Sequence, residues 1–238
     1  MGLRMIILSM QKLKRLERKI GMIKLHTLKI GGIPEALHGM RNPKDSWDRS
    51  DTEIDKTKES GCYIGENDFR LALQLASAGS VHGKFRRMIV VWVDITAPLY
   101  WWKEFDTYKV GTVANSCSTM HTLHKRDLIG EDFSHEHLFG TAETNLCDTL
   151  NLINHYRRLY VDAAAKQDPD AKDYWWQMIQ LLPSSFNQKR TVMLNYEVLA
   201  NICEYRANHK LDEWRDFVCW AENLPYSELF LCKVNGNG

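Results

Sequence analysis

Short runs of apolar residues predict three strands. Residues 22–30 alternate between apolar and polar positions, as a half-buried strand does, until Gly31 and Gly32 interrupt them. Residues 85–95 are nearly continuous in apolar character and rich in β-branched side chains, which favours a buried strand. Residues 189–194 predict a third, shorter strand.

Helical periodicity covers most of the remaining chain. The predicted helices are residues 35–40, 66–78, 100–105, 143–166, 170–182, 195–208 and 211–224. Residues 41–61 are dense in polar side chains and predict a long, mobile loop of the kind that forms lids. Because strands come early and helices late, we expect an α+β fold, with a mixed or antiparallel sheet packed with several long helices.

Charge separates the first 21 residues from the rest of the chain. They hold six basic residues and one acidic residue, so they carry +5 and the remainder −4, which together make the net charge of +1. A membrane-surface helix or basic arm is one interpretation. We favour a disordered basic extension at residues 1–21, followed by a single domain at 22–238.

The composition limits the kinds of partner that we expect this domain to bind. Hydrophobic residues make up 44% and charged residues 26% of the 238 residues, which is typical of a globular protein. The near-neutral total charge offers no basic field for a nucleic acid polymer. No run approaches the roughly 18 apolar residues of a membrane span, so we expect no membrane partner.

Cysteine and histidine spacing gives no metal motif. The six cysteines include no CxxC pair, and Cys117 with His121 has no second pair to complete a zinc site. His135 and His137 share one side only if they lie on a strand, and we favour a solvated loop. The expectation is scattered reduced thiols in a cytoplasmic protein, with no metal.

Two local clusters leave their interpretation open. Lys84, Arg86 and Arg87 form either a phosphate-binding group or a set of charges at a strand end. The aromatic residues between 100 and 105 favour core packing, and a flavin ring or a base is the alternative occupant of such a surface.

The order of several motifs is more specific than any of them alone. Leu182-Pro183 is followed by Asn195 and then by a segment with Asn201, Arg206 and His209. This series resembles the flavin-dependent thymidylate synthases, including phage-type members, from about residue 22 to 225. The resemblance implies their α+β fold, a homotetramer, and active sites shared between subunits.

The resemblance assigns roles to the best-matching positions. It implies that Asn201 and His209 contact FAD, and that Arg206 holds the uracil of dUMP as the catalytic residue. His82 matches a flavin-contacting histidine, although Lys84 replaces the serine that follows in that family's motif. We expect Asn201, Arg206 and His209 to line one cleft.

The Arg-His-Arg motif of the family is replaced by Thr107-Tyr108-Lys109. Tyr108, Lys109 and Asn115 are therefore the matching cofactor-binding positions. Glu104, Ser116 and Ser118 are the matching substrate-binding positions, with Glu104 where the family has Gln.

Two expected arginines are also missing, because Met120 and Ile179 stand in their places. Neither side chain offers the rigid fork with which arginine binds a phosphate. The lysines and arginines elsewhere in the chain would have to replace those contacts.

The resemblance implies reductive methylation of dUMP to dTMP, with FAD as cofactor and NADPH and methylenetetrahydrofolate as co-substrates. The altered motif leaves two alternatives: a flavin- or nucleotide-binding relative with another substrate, and a non-catalytic structural or interaction protein. A shared fold alone licenses no activity.

Overall fold

The computed structural model describes residues 23–232, so the predicted extension at residues 1–21 lies outside the described residues. The helices are α1 (Ile33–Arg41), α2 (Glu66–Ser77), α3 (Leu99–Phe105), α4 (Thr119–Thr122), α5 (Thr141–Ala165), α6 (Ala171–Leu181), α7 (Tyr196–Arg206), α8 (Asp212–Glu222) and α9 (Glu228–Leu231). The strands are β1 (Lys24–Gly31), β2 (Glu53–Ile54), β3 (Cys62–Tyr63), β4 (Val90–Pro98), β5 (Thr112–Ser116) and β6 (Asn187–Asn195). The fold class is α+β, as the sequence predicted.

Four strands form the main sheet in the order β1-β4-β6-β5. Strand β5 is an edge strand that runs antiparallel to β6, with Thr112 opposite Leu194 and Ser116 opposite Arg190. On β4 every second residue from Val91 is buried, so one face of this strand is covered completely.

The chain divides into two compact units. The first contains Thr96–Lys103 and Cys117–Lys189, and the second contains Lys24–Ile95, Glu104–Ser116 and the described residues from Arg190 onward. The expectation of a single domain at residues 22–238 stays a prediction.

In the first unit, the long helices α5 and α6 pack on a core of their own. Its buried members are Leu123, Leu128, Phe133, Leu150, Ile153 and Met178. Asn154 on α5 is buried, and its side-chain amide exchanges two hydrogen bonds with the backbone of Leu128, at 2.8 and 2.9 Å. This pair ties the segment before α5 to the helix.

In the second unit, two residues fix the turns between strands and helices. Asn195 ends β6 and caps α7, because its side chain accepts a hydrogen bond from the Val198 amide at 3.0 Å. Gly32 lies between β1 and α1 at φ 85°, where a side chain would collide with the Met88 carbonyl oxygen.

Residues 41–61 are not the featureless loop that their polarity suggested. They contain two 3-10 turns, Asn42–Lys44 and Trp47–Arg49, and strand β2, which pairs antiparallel with β3. The segment is attached to α2 through Asp68, whose carboxylate is fully buried and lies 2.6 Å from Arg41 Nε. The second carboxylate oxygen accepts hydrogen bonds from the Ser50 hydroxyl and from the amide and hydroxyl of Thr52.

Most predicted helices agree with the structure to within a few residues. The buried strand is displaced, because residues 83–88 form a 3-10 helix and β4 begins only at Val90. Strand β5 was not predicted, and its side chains from Val113 to Ser116 are exposed. Within residues 23–232 no helix combines the length and the apolar character needed to cross a membrane.

Replacing Asp68 by Ala should lower the free energy of unfolding by about 3–5 kcal/mol, because Arg41 would keep a buried charge without its partner. The measurement is equilibrium urea unfolding. Asp55→Ala is the matched control, since the Asp55 carboxylate accepts hydrogen bonds from Thr57 in a local turn, and its loss should cost much less stability than the loss of Asp68. Equal losses in the two variants would contradict the role of Asp68.

The Asp68 carboxylate should also make the free energy of unfolding depend on pH. Burial opposes ionisation, but hydrogen bonds from Thr52, Ser50 and Arg41 outweigh it and lower the pKa of Asp68 below the usual 3.8. The stabilisation is therefore complete above about pH 4 and is lost as pH falls through the lower, folded-state pKa. As the pH falls below about 4, the difference in unfolding free energy between wild type and Asp68→Asn should therefore become smaller.

Candidate functional site

Five residues of the second unit meet around one carboxylate, and we call them the Glu104 cluster. Its members are Glu104 near the end of α3, Tyr108 in the following loop, Arg206 at the end of α7, His209 in the next loop and Trp214 in the first turn of α8. Their convergence brings together residues about a hundred positions apart in the chain.

The carboxylate oxygen Glu104 Oε2 is the centre of the cluster. It accepts a hydrogen bond from Arg206 Nη1 at 2.9 Å and another from the Trp214 indole at 3.0 Å. His209 Nε2 lies 3.4 Å from the same oxygen. Hydrogen bonds from charged donors to a carboxylate are among the strong ones in proteins, so this oxygen holds three segments of the chain together.

The guanidinium of Arg206 is fixed on several sides. Its Nε donates to the Tyr108 hydroxyl at 2.9 Å, and its central carbon lies 4.8 Å from the centre of the Trp214 ring. A cation over an aromatic face gains a further electrostatic attraction. The orientation of Arg206 is therefore set by Glu104, Tyr108 and Trp214 together.

The imidazole of His209 has its tautomer determined by the backbone. The Leu211 amide donates to His209 Nδ1 at 3.2 Å, so in the neutral ring the proton is on Nε2. That nitrogen faces Glu104 Oε2, and the ring packs edge-on against Trp214. In this tautomer the N–H of His209 is on the nitrogen nearest the carboxylate.

Three buried aromatic side chains, Phe105, Trp214 and Phe217, lie beneath these polar groups, and we call them the aromatic floor. Phe105 and Phe217 are buried and pack with Trp214, at ring-centre distances of 6.3 and 5.9 Å. Above this floor the side chains of Glu104, Arg206 and His209 are 35%, 19% and 24% exposed. The polar side chains of the cluster are therefore partly exposed to solvent, while the aromatic side chains beneath them are buried.

Four of the other predicted cofactor-binding residues stand apart from these contacts. No hydrogen bond, ion pair or ring contact within the described part of the chain joins them to the Glu104 cluster. They are His82, Lys109, Asn115 and Asn201, and all four side chains are exposed. Asn115 lies on β5 opposite Thr191. Their cofactor roles stay predictions.

Two predicted substrate-binding residues lie at the end of β5 and just beyond it. Ser116 is exposed and pairs with Arg190 in the sheet. Ser118 belongs to the first unit, where it precedes α4 and its carbonyl oxygen accepts a hydrogen bond from the Thr122 hydroxyl at 2.7 Å. No hydrogen bond or ion pair within residues 23–232 joins Ser116 to the Glu104 cluster, and the substrate roles of Ser116 and Ser118 stay predictions.

A cavity of about 430 Å³ in the first unit was not predicted. It is lined by Cys117, Thr119, Thr122, Leu123, Lys125, Arg126, Leu128, Asp132, Phe186, Asn187, Gln188 and Lys189. Its apolar base belongs to the core under α5, and Arg126 at its rim is paired with Asp132. Sequence patterns signal such a cavity poorly, since distant segments form its walls.

Among residues 23–232 no group of three or more His, Cys, Asp or Glu side chains is placed to hold a metal ion. His135 lies in a loop, and its Nδ1 is 3.1 Å from the Phe133 carbonyl oxygen. All six cysteines are free thiols, and burial raises the pKa of Cys203 to about 12.

No protein-family model matches the sequence, and no curated protein matches it. Solved structures do match the fold. Thymidylate synthase X from Helicobacter pylori with FAD and dUMP is similar at TM-score 0.61 and 14% identity, over 88% of this chain and 96% of that chain. A second structure of the flavin-dependent thymidylate synthase from Helicobacter pylori, complexed with FAD and dUMP, has TM-score 0.61, 15% identity and coverage of 88% and 99%.

This chain has the fold of the flavin-dependent thymidylate synthases. At such low identity the likeness establishes the fold alone, and the fold-level resemblance found in the sequence is confirmed. The Glu104 cluster adds what the sequence did not show. Trp214, to which no role was assigned, donates its indole N–H to the carboxylate at the centre of the cluster.

A double-mutant cycle should show that Glu104 and Arg206 are coupled. Glu104→Ala, Arg206→Ala and the double variant should give a coupling energy of about 1–3 kcal/mol in urea unfolding, because each is the other's charged partner. Arg215 and Asp212, a neighbouring ion pair on α8 with the Arg215 side chain 51% exposed, are the matched control and should couple by less than about 0.5 kcal/mol. Coupling no larger than that of the control pair would refute the arrangement.

Proposed function

We propose that this protein is a divergent FAD-dependent enzyme of the thymidylate synthase type, which reductively methylates dUMP to dTMP with methylenetetrahydrofolate and NADPH. The observation that carries the proposal is that Arg206 and His209 meet at one carboxylate oxygen of Glu104, while Arg206 also donates to the Tyr108 hydroxyl. All four were marked as ligand-binding positions by the sequence resemblance, and they meet in a chain with the matching fold. A cytoplasmic location and a homotetramer belong to the same proposal.

The residues present fit the ring of a flavin better than its phosphates. Tyr108 and His209 place a phenol and an imidazole beside Arg206, which suits a flat ring with a polar edge. Lys109 is exposed and is the one cation in the Thr107-Tyr108-Lys109 segment, so it supplies one phosphate contact. FAD, when bound, would supply the hydride chemistry that no side chain of this chain can perform.

The protein's own contribution would be to bind and orient. Arg206 would hold the uracil through its remaining donors, with its plane fixed by Tyr108 and Trp214. His209 Nε2 lies 3.4 Å from Glu104 Oε2 and would help to keep the carboxylate turned toward the guanidinium. Fixed donors of this kind stabilise charge that develops on a carbonyl oxygen during a reaction.

One observation favours a second candidate, a flavin- or nucleotide-binding relative with another substrate. Glu104 puts a negative charge beside Arg206, where a phosphate dianion would be repelled. Met120 is 47% exposed and Ile179 packs against the core of the first unit, so neither provides the missing cation. A non-catalytic member of the family is the third possibility and predicts no flavin binding.

The purified protein should be yellow and show a flavin absorbance spectrum, because the proposal requires bound FAD. The measurement is the visible spectrum of the protein before and after addition of FAD, followed by gel filtration. A colourless protein that does not retain added FAD would rule out both flavin-dependent candidates. Growth rescue of a thymidine-requiring strain then separates dUMP methylation from another reaction.

Replacing Arg206 by Ala should weaken dUMP binding at least about 10-fold, since the base loses a charged hydrogen-bond donor. Isothermal titration calorimetry measures the change. Arg158→Ala is the control, because Arg158 is 61% exposed on α5 and makes only a 3.9 Å contact with Asp127. Unchanged dUMP affinity in Arg206→Ala would show that Arg206 does not hold the uracil.

A further inference from the structure

The ion pair between Glu104 and Arg206 leaves one acceptor and one donor unused. All three donors of the cluster meet Glu104 Oε2, and Oε1 accepts no hydrogen bond from residues 23–232. Arg206 uses Nε and Nη1, while Nη2 has no acceptor in the same part of the chain. The unused atoms belong to the two groups that the 2.9 Å bond between Nη1 and Oε2 joins, so an unused acceptor and an unused donor lie on neighbouring side chains.

The charges of Glu104 and Arg206 determine which kind of ligand binds favourably to this pair. The charges of the Glu104 carboxylate and the Arg206 guanidinium cancel within their ion pair. An anionic group would therefore gain little attraction from Arg206, and it would be repelled by Glu104 Oε1. A neutral ring satisfies both atoms if it carries an N–H next to a C=O.

We propose that Glu104 and Arg206 together recognise the imide or lactam edge of a neutral heterocycle. Glu104 accepts a hydrogen bond from the ring N–H, and Arg206 donates to the adjacent carbonyl oxygen. This inference rests on the proposed function and makes Glu104 a specificity-determining residue for the base, of which uracil, with N3–H between two carbonyls, is one example.

The aromatic residues beneath the ion pair increase its preference for a flat ring that carries an N–H. Trp214 and Phe105 are buried beneath the pair, and Tyr108 lies beside Arg206. A flat base that enters here would displace water from the exposed part of Glu104. A ligand without the N–H would then leave the carboxylate oxygen without a donor, which is the costly case for a polar group.

The test compares deoxyuridine with N3-methyldeoxyuridine, which differs only at the ring N–H. Calorimetry on the flavin-loaded protein should show wild type binding deoxyuridine at least about 10-fold more tightly. Glu104→Ala should bind the two nucleosides within about 3-fold of each other, because the acceptor is gone. The control Glu204→Ala removes an exposed carboxylate two residues before Arg206 and should keep the wild-type preference.

Glu104→Gln provides a second measurement if the alanine variant does not fold. Its amide oxygen still accepts a hydrogen bond while its negative charge is gone. We therefore expect it to keep a preference for deoxyuridine over the N3-methyl compound, and to bind dUMP more tightly relative to deoxyuridine than wild type does.

Three results would overturn the inference. The first is that wild type binds deoxyuridine and N3-methyldeoxyuridine with equal affinity. The second is that Glu104→Ala keeps the full wild-type preference for deoxyuridine over the N3-methyl compound. The third is that the affinity for dUMP, relative to the affinity for deoxyuridine, is unchanged or smaller in Glu104→Gln. If dUMP binds and Arg206→Ala abolishes that binding while no N3-methyl effect is found, the inference fails and the proposed function stands. If wild type binds neither nucleosides nor dUMP, both fail.

Discussion

A carboxylate that leaves water needs hydrogen-bond donors, and this requirement organises the second unit at two places. Asp68 is fully buried and gathers donors from Arg41 and from residues 50–52, so that the polar segment before α2 has a fixed path. Glu104 gathers Arg206 and Trp214 and lies beside His209. In both places a single side chain holds segments that secondary structure alone would leave separate.

The two carboxylates differ in what they leave available. Asp68 is 0% exposed and its bonds are made within the protein, so its role is to stabilise the fold. Glu104 is 35% exposed and concentrates its described contacts on one oxygen. A fully satisfied buried group is structural, whereas a half-satisfied group at the surface above a rigid aromatic floor is suited to binding.

The shared fold and the altered residues together account for the proposed activity. In the proposed activity, Arg206, held by Glu104 and close to His209, would orient the base. Glu104 stands where the resembling family has Gln and makes the pair with Arg206 electrically neutral, which in the proposed function would separate recognition of the base from recognition of a phosphate. Phosphate contacts must then come from other cations, of which Lys109 is an exposed one in the same unit.

Much of the fold followed from local patterns in the sequence. The apolar run at β4 and the periodicity of α5 and α6 each act over a few residues, so these elements are visible in the sequence. Strand β5 escaped prediction because its exposed side chains carry no alternation, and only pairing with β6 makes it a strand.

The candidate site shows the same difference between what local sequence patterns predict and what only tertiary packing decides. The sequence by itself determined the fold class, the order of most elements, and the candidates Glu104, Tyr108, Arg206 and His209. Only the tertiary structure decided that these four meet, that Trp214 joins them, and that Arg206 is paired with an internal carboxylate. Glu104 and Arg206 are 102 positions apart, and a hydrogen bond over that separation exists only where the packing of the helices brings donor and acceptor within 3 Å, which no local pattern encodes.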